Sequence, residues 1–438
     1  MKKRGISIIL AIALFASLLT GCSGAQKKTV RLTVKVPTLT MTPANDTEII
    51  ESYEFLEKAA AAFEEQYQDA NVEVDVVCFP ITDETAAITD CFDTPDAADV
   101  LYEGYFNMAS YIYSGRVVPL DDIISDELRA DIDDASWAQS RVEGKTYMMP
   151  FLALQNILGY NKELFRQAGL EAYISDEPVI QSWTLEMWEK ILSTLHEKLQ
   201  ENTFPMMMYA KNDQGDTHVM LYIRSQGSKF FDEQGRFNLS TPEGIAGLQW
   251  IKDSYDKGYF PTHCENLEIS DNITLFSKGQ LALQIMNNSL IPNLPELDMG
   301  YVNFPGPGEG MATSWVTGFQ VFDNGDEAKV KAAKDFVKFI YENETWLDYS
   351  SAGIPASASV AEKYKDQILL LEQFYQNSAN AVDFMANNPN WRGVREVFYP
   401  HIQDLLRGDK TAEEVAQALD TDCNAAIDAG RADGKLHE

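Results

Sequence analysis

The stretch Tyr102-Glu-Gly-Tyr-Phe-Asn107 sets a carboxylate, an amide and aromatic rings side by side. That mixture suits the grip of a sugar: aromatic faces pack on the C–H faces of a pyranose, and Glu or Asn pairs with vicinal hydroxyls. Glu103, Tyr105 and Asn107 are therefore candidate contacts, with packing against the next helix as the alternative reading of Tyr105 and Phe106. Catalytic patterns are harder to find. There is no HExxH, no GxSxG elbow and no P-loop, the five histidines are scattered, and prolines interrupt the Gly306-x-Gly308-x-Gly310 run. Hydrolysis of a glycoside needs two carboxyl groups about 5 to 9.5 Å apart, one with a raised pKa. With 67 acidic residues such a pair can always be nominated, so composition does not decide between binder and hydrolase.

The elements around these residues read as α/β. Leu32, Val34 and Val36 alternate as a strand, a Thr-rich loop follows, Phe55, Ala59, Phe63 and Tyr67 recur on one helical face, and Val72, Val74 and Val76 alternate again. Strand, helix and strand within so few residues form a βαβ unit with a parallel sheet. Residues 99–102 read as a buried strand, which places 102–107 at its carboxyl end, where open α/β sheets take ligands. Further strands and helices are expected at 157–160 and 183–199. The end of the chain turns helical, over 327–342, 361–377, 391–407 and 412–428, with Thr411 and Glu414 at capping-box spacing. The loop from Asn303 to Gly310 is the densest in Pro and Gly and is expected to cross between lobes.

The chain opens with Lys2, Lys3 and Arg4, an apolar run from Ile6 to Leu18, and Leu19-Thr-Gly-Cys22. A basic start and a short apolar core are the marks of a signal peptide, too short for a bilayer span of about 20 residues. Leu19 to Cys22 resembles a bacterial lipobox, which implies lipid on the Cys22 sulfur; the alternative is a cysteine that merely follows a leader. The net charge of −32, from 35 basic and 67 acidic residues, argues against nucleic acid and against anionic lipid surfaces. Cys78, Cys91, Cys264 and Cys423 have no metal-type spacing; Cys78 and Cys91 are either bridged or, like the others, buried thiols.

Four phrases in order resemble the family 1 extracellular solute-binding proteins of ABC importers. They are Glu143 to Phe151 leading to Gly159-Tyr-Asn-Lys-Glu-Leu-Phe165 and Trp183; Phe276-Ser-Lys-Gly279 to Leu283; Pro305-Gly-Pro with Lys331 to Phe339; and Pro389-Asn-Trp391 to Glu414. The resemblance implies a two-lobe α/β fold of the periplasmic-binding-protein type, with the ligand cleft between lobes and helices at the C-terminal end. With the signal peptide read at 1–21 and a short polar tether at 22–29, the resemblance implies a first lobe of 30–151 plus 301–341, and a second of 152–300 plus 342–438. It places Gln155 and Asn156 at the first crossing, Asn287, Asn288 and Ser289 where many relatives carry an aromatic platform, and Trp315 where the family often has a glycine pair; Trp391 and Arg395, near the start of the helix after Pro389, are further candidate contacts. Each tryptophan is equally readable as core. Thr38, Thr40 and Thr42 close the set, as contacts or as loop caps. The expected function is capture of a carbohydrate, an oligosaccharide by expectation, and its delivery to permease subunits by a lipid-anchored monomer without cofactor or metal. A tethered glycoside hydrolase, an adhesive lipoprotein, and a polyamine, peptide or metal binder are the rival readings.

Overall fold

The computed structural model describes residues 29–45, 48–211, 216–306 and 308–432. The leader and Cys22 lie outside the described residues. Strand Thr29–Pro37 pairs in parallel with Asn71–Phe79 along its whole length and with Val100–Gly104 at Val34 and Lys35. Between the first two runs helix Ser52–Gln66, whose Phe55, Leu56, Ala59, Ala60 and Phe63 are buried. Its start is fixed by a reciprocal cap between Glu51 and Glu54. This is the expected βαβ unit.

The strand that organises the molecule is Met149–Asn161, 13 residues long. At 3.4 Å per residue it spans roughly 40 Å, longer than an ordinary strand, so it can serve two bodies in turn. Its first part, up to Asn156, pairs antiparallel with Ala312–Val321, which in turn pairs with Val100–Gly104. Its second part pairs antiparallel with Leu281–Asn287 on one side and Met299–Val302 on the other. The sheet therefore runs without a break from strand Phe204–Met206 at one edge to Asn71–Phe79 at the other. A register shift at Thr317 and Gly318 bends the join, and there a Cβ on Gly318 would stand 2.1 Å from the Met149 carbonyl oxygen.

Two apolar cores flank this sheet. One gathers Val34, Phe55, Phe63, Phe151, Phe319 and Phe336, and also takes in Leu347, Tyr349, Val360 and Tyr364. The other runs from Leu101 and Ile112 through Trp188, Tyr222 and Phe304 to Leu405.

The Pro/Gly loop is the turn of a hairpin, closed by the antiparallel bridge between Phe304 and Met311; the strand after it, Ala312–Val321, makes the crossing. The helix expected over 361–377 is two helices, Ala358–Tyr364 and Leu371–Asn377: the first stops after Tyr364, and left-handed Leu370 at φ 62° precedes the second, so the two cannot be continuous. Helix Trp391–Arg407 ends on left-handed Gly408, and Ala412–Ala432 begins with the expected cap, Thr411 and Glu414 exchanging hydrogen bonds of 2.9 and 3.2 Å. Cys78, Cys91, Cys264 and Cys423 are free thiols, and Cys78 is exposed rather than buried, so the bridge expected as one alternative is absent. Among the described residues no helix is long and apolar enough to cross a membrane.

Candidate ligand site

Glu103 is the last residue but one of strand Val100–Gly104, and the turn Tyr105–Asn107 with helix Met108–Tyr113 carries the chain away from the sheet edge. Glu103 is 7% exposed and stands beside Glu84 of the short helix Glu84–Ala87. Burial, then the charge of Glu84 and a hydrogen bond with it, push the Glu103 carboxyl well above the usual carboxylate range. Glu84 Oε1 accepts from the Asn107 amide and from the Tyr111 hydroxyl, at 3.0 Å for the latter. The shift favours the protonated form, and a protonated carboxyl can donate a hydrogen bond as well as accept one.

The second group centres on Asp216, the first residue of helix Asp216–Ser225 and almost fully buried. Its carboxylate accepts from Trp391 Nε1 at 2.8 Å and from Arg395 Nε and Nη2 at 3.0 and 3.2 Å. Trp391 and Arg395, four residues apart in helix Trp391–Arg407, fall on one face. The Arg395 guanidinium lies over the Phe106 ring, 5.1 Å from its centroid, and so joins the turn after Glu103 to the C-terminal helix.

Rings fill the space between. Phe384 touches Tyr105, Phe106, Trp315 and Trp391 at centroid distances of 6.1, 5.7, 6.4 and 6.4 Å. Trp391 is 2% exposed: Phe237 stacks on it at an interplanar angle of 25°, and Phe384 meets it edge-on at 77°. Trp315 and Phe106, 5.5 Å apart, are half-buried, as are Asn107 and Arg395.

The amides at the crossing form a separate network. Gln155, 1% exposed, donates to the Phe374 carbonyl at 3.2 Å and accepts from Asn377 at 2.7 Å, while its backbone N–H donates to Asn288 Oδ1 at 3.1 Å. Asn156 donates to Thr217 Oγ1 at 3.4 Å and accepts from Asn287 at 3.3 Å; Asn287 Oδ1 also caps the N–H groups of Ser289 and Leu290. These side chains are engaged in holding strands together. Asn288 and Ser289 also border a cavity of about 550 Å³ shared with Thr42, Tyr301, Gly353 and Gln367, to which Glu103, Trp391 and Arg395 do not contribute. Of the other loop threonines, Thr40 lies in the two-residue strand Thr40–Met41, and the Thr38 N–H donates to the Phe79 carbonyl at 2.8 Å.

Sequence reasoning missed Asp216, Glu84 and Phe384. Asp216 at a helix start was the only local signal of the three; Glu84 and Phe384 reach the site through tertiary packing alone. Among the described residues no group of three or more His, Cys, Asp or Glu could hold a metal ion. His218, between Tyr209 and Tyr222, is fully buried, and desolvation pushes its pKa down to about 3, so it is a neutral packed ring.

The fold and sequence have clear relatives. An ABC substrate-binding protein of Listeria monocytogenes, solved with cycloalternan, superposes with a TM-score of 0.71 at 17% identity, covering 92% of this chain and 99% of the other. The chain is 22% identical to the mannitol-binding protein of Pseudomonas aeruginosa over 250 residues, 57% of this chain and 54% of the relative. It is 24% identical to the arabinooligosaccharide-binding protein of Halalkalibacterium halodurans over 205 residues, 46% of this chain and 42% of the relative. These likenesses give the two-lobe architecture of maltose-binding-like proteins to the sheet described above, and residues 46–345 match the family described as bacterial extracellular solute-binding protein: the chain belongs to that family.

Proposed function

We propose that this protein captures a carbohydrate between its lobes and hands it to the membrane subunits of an ABC importer, as a monomer held at the outer face of the cell membrane by lipid on Cys22. The observation that carries the reading is the meeting of Arg395, anchored on Asp216, with Phe106 next to Glu103 and Asn107. A polyhydroxylated ligand placed there touches both sides of the cleft, and only the closed form offers it both sets of contacts. The family and the sugar-binding relatives named above support the same class of ligand. The lobe division of 30–151 with 301–341 against 152–300 with 342–438 belongs to this proposal. The packing of Leu347, Tyr349, Val360 and Tyr364 in the first core favours moving the later boundary beyond Tyr364.

The Glu84 and Glu103 pair favours a second reading, a tethered glycoside hydrolase, because one of two adjacent carboxyls has a raised pKa. The partners of Glu84 argue against it: its Oε1 accepts from the Asn107 amide and the Tyr111 hydroxyl, so it is tied to neighbouring side chains where a nucleophile or base must face the substrate.

The test is a thermal-shift screen of alditols, monosaccharides and oligosaccharides, followed by small-angle scattering with the best hit. A ligand at 100 times its dissociation constant adds about 2.7 kcal/mol of stability. The expected result is a hit that lowers the radius of gyration and is recovered intact; a panel without hits, or an unchanged radius at saturation, overturns the proposal.

A further inference from the structure

Phe384 is fully buried, and its ring contacts two residues of the turn after Glu103, Tyr105 and Phe106, together with Trp315 on the crossing strand and Trp391 on the C-terminal helix. It therefore stands at the junction of the groups just assigned to the ligand. Trp391 has no stacking face left: Phe237 covers one side, Phe384 abuts it edge-on, and its only hydrogen-bond donor is spent on Asp216.

The segment that carries Phe384 is clamped. Ala381 and Val382 pair in parallel with Ala312 and Thr313 of the crossing strand. The Asp383 carbonyl accepts from Arg224 Nη2 at 2.9 Å, and Asp383 Oδ1 accepts from the N–H groups of Met385 and Ala386 at 3.0 and 2.9 Å. Arg224 is itself held over the rings of Phe230 and Phe231, at 5.8 and 6.0 Å. Ala386 and Asn387 follow at φ 50° and 49°, a left-handed pair that persists only where the surroundings dictate it. A segment held at so many points is a wall, not a flap.

What remains partly exposed is a lip of half-buried groups, Phe106, Asn107, Trp315 and Arg395, in which the Phe106 and Trp315 rings touch at 5.5 Å between centroids. We propose that Phe384 is a specificity-determining residue that closes the Trp391 end of the cleft, so that the site takes a compact polyhydroxylated ligand, one sugar ring or an open-chain alditol, and rejects a linear oligosaccharide. The proposal rests on the carbohydrate-binding reading and narrows it away from the oligosaccharide expected at first.

Calorimetry with D-mannitol, D-glucose and maltotetraose on wild type, Phe384→Ala and Phe384→Leu tests it, with circular dichroism melts to verify folding. Wild type is expected to bind at least one compact probe and to bind maltotetraose at least tenfold more weakly. In Phe384→Ala the ratio of the two dissociation constants should fall at least tenfold, with Phe384→Leu between. Wild-type affinity for maltotetraose equal to that for the best compact probe, or a ratio that neither variant moves, overturns the inference while leaving the carbohydrate reading intact. Absence of binding to all three probes by every folded protein overturns the inference together with the reading on which it rests.

Discussion

At the scale of the residue, the site depends on charges taken out of water in company. Asp216 accepts three hydrogen bonds and so compensates Arg395 and Trp391 at once, whereas Glu103 is buried beside another acid and its pKa is pushed up. A carboxyl whose folded pKa lies above its unfolded value contributes stability that is fully present below the unfolded pKa and is lost as pH rises through the folded one. Glu103→Gln removes that titration. Relative to wild type, the variant should gain stability progressively as pH rises above the ordinary carboxylate range, and the gain should vanish near pH 4. Urea midpoints across that range check it; parallel profiles for the two proteins would show that Glu103 carries no such cost. Little of this was legible beforehand. Glu103, Tyr105 and Asn107 could be nominated because they follow a strand closely, but the partners that decide their chemistry, Glu84 and Asp216, lie far away in sequence.

At the scale of the element, legibility followed periodicity. Helices 327–341 and 391–407 were read to within a residue because their apolar stripes repeat cleanly. The long strand was seen only at 157–160, since buried on both faces it lacks alternation, and the split at Leu370 has no Gly or Pro to mark it. The join at Gly318 was invisible for another reason: it is a close approach of two backbones, not a turn. Gly318→Ala would push a methyl group into the Met149 carbonyl and force strand Ala312–Val321 away from Met149–Asn161. A cost of about 3 kcal/mol, the upper end for overpacking, is expected. A clear fall in the urea midpoint, with no change in slope, is the measured outcome; a midpoint within error of wild type would mean the strands yield there without cost.

At the scale of the whole molecule, the proposed lipid anchor on Cys22 has a direct test, and the net charge of −32 gives the rest of the chain no electrostatic attraction to anionic headgroups. Radiolabelled palmitate is expected to be incorporated into wild type and not into Cys22→Ala, which is released to the medium; equal labelling of both would sink the anchor. The sheet order has a further consequence, in time rather than space. Strand Ala312–Val321 sits between Met149–Asn161 and Val100–Gly104, and Ala312 follows Asn161 by 151 residues, so the sheet has a vacant place until they have arrived. A chain delivered N-terminus first must therefore wait with unpaired strand edges exposed, and such long-range pairing is slow. Its hazard is greatest during delivery, before the residue that completes the sheet has left the ribosome or the export channel.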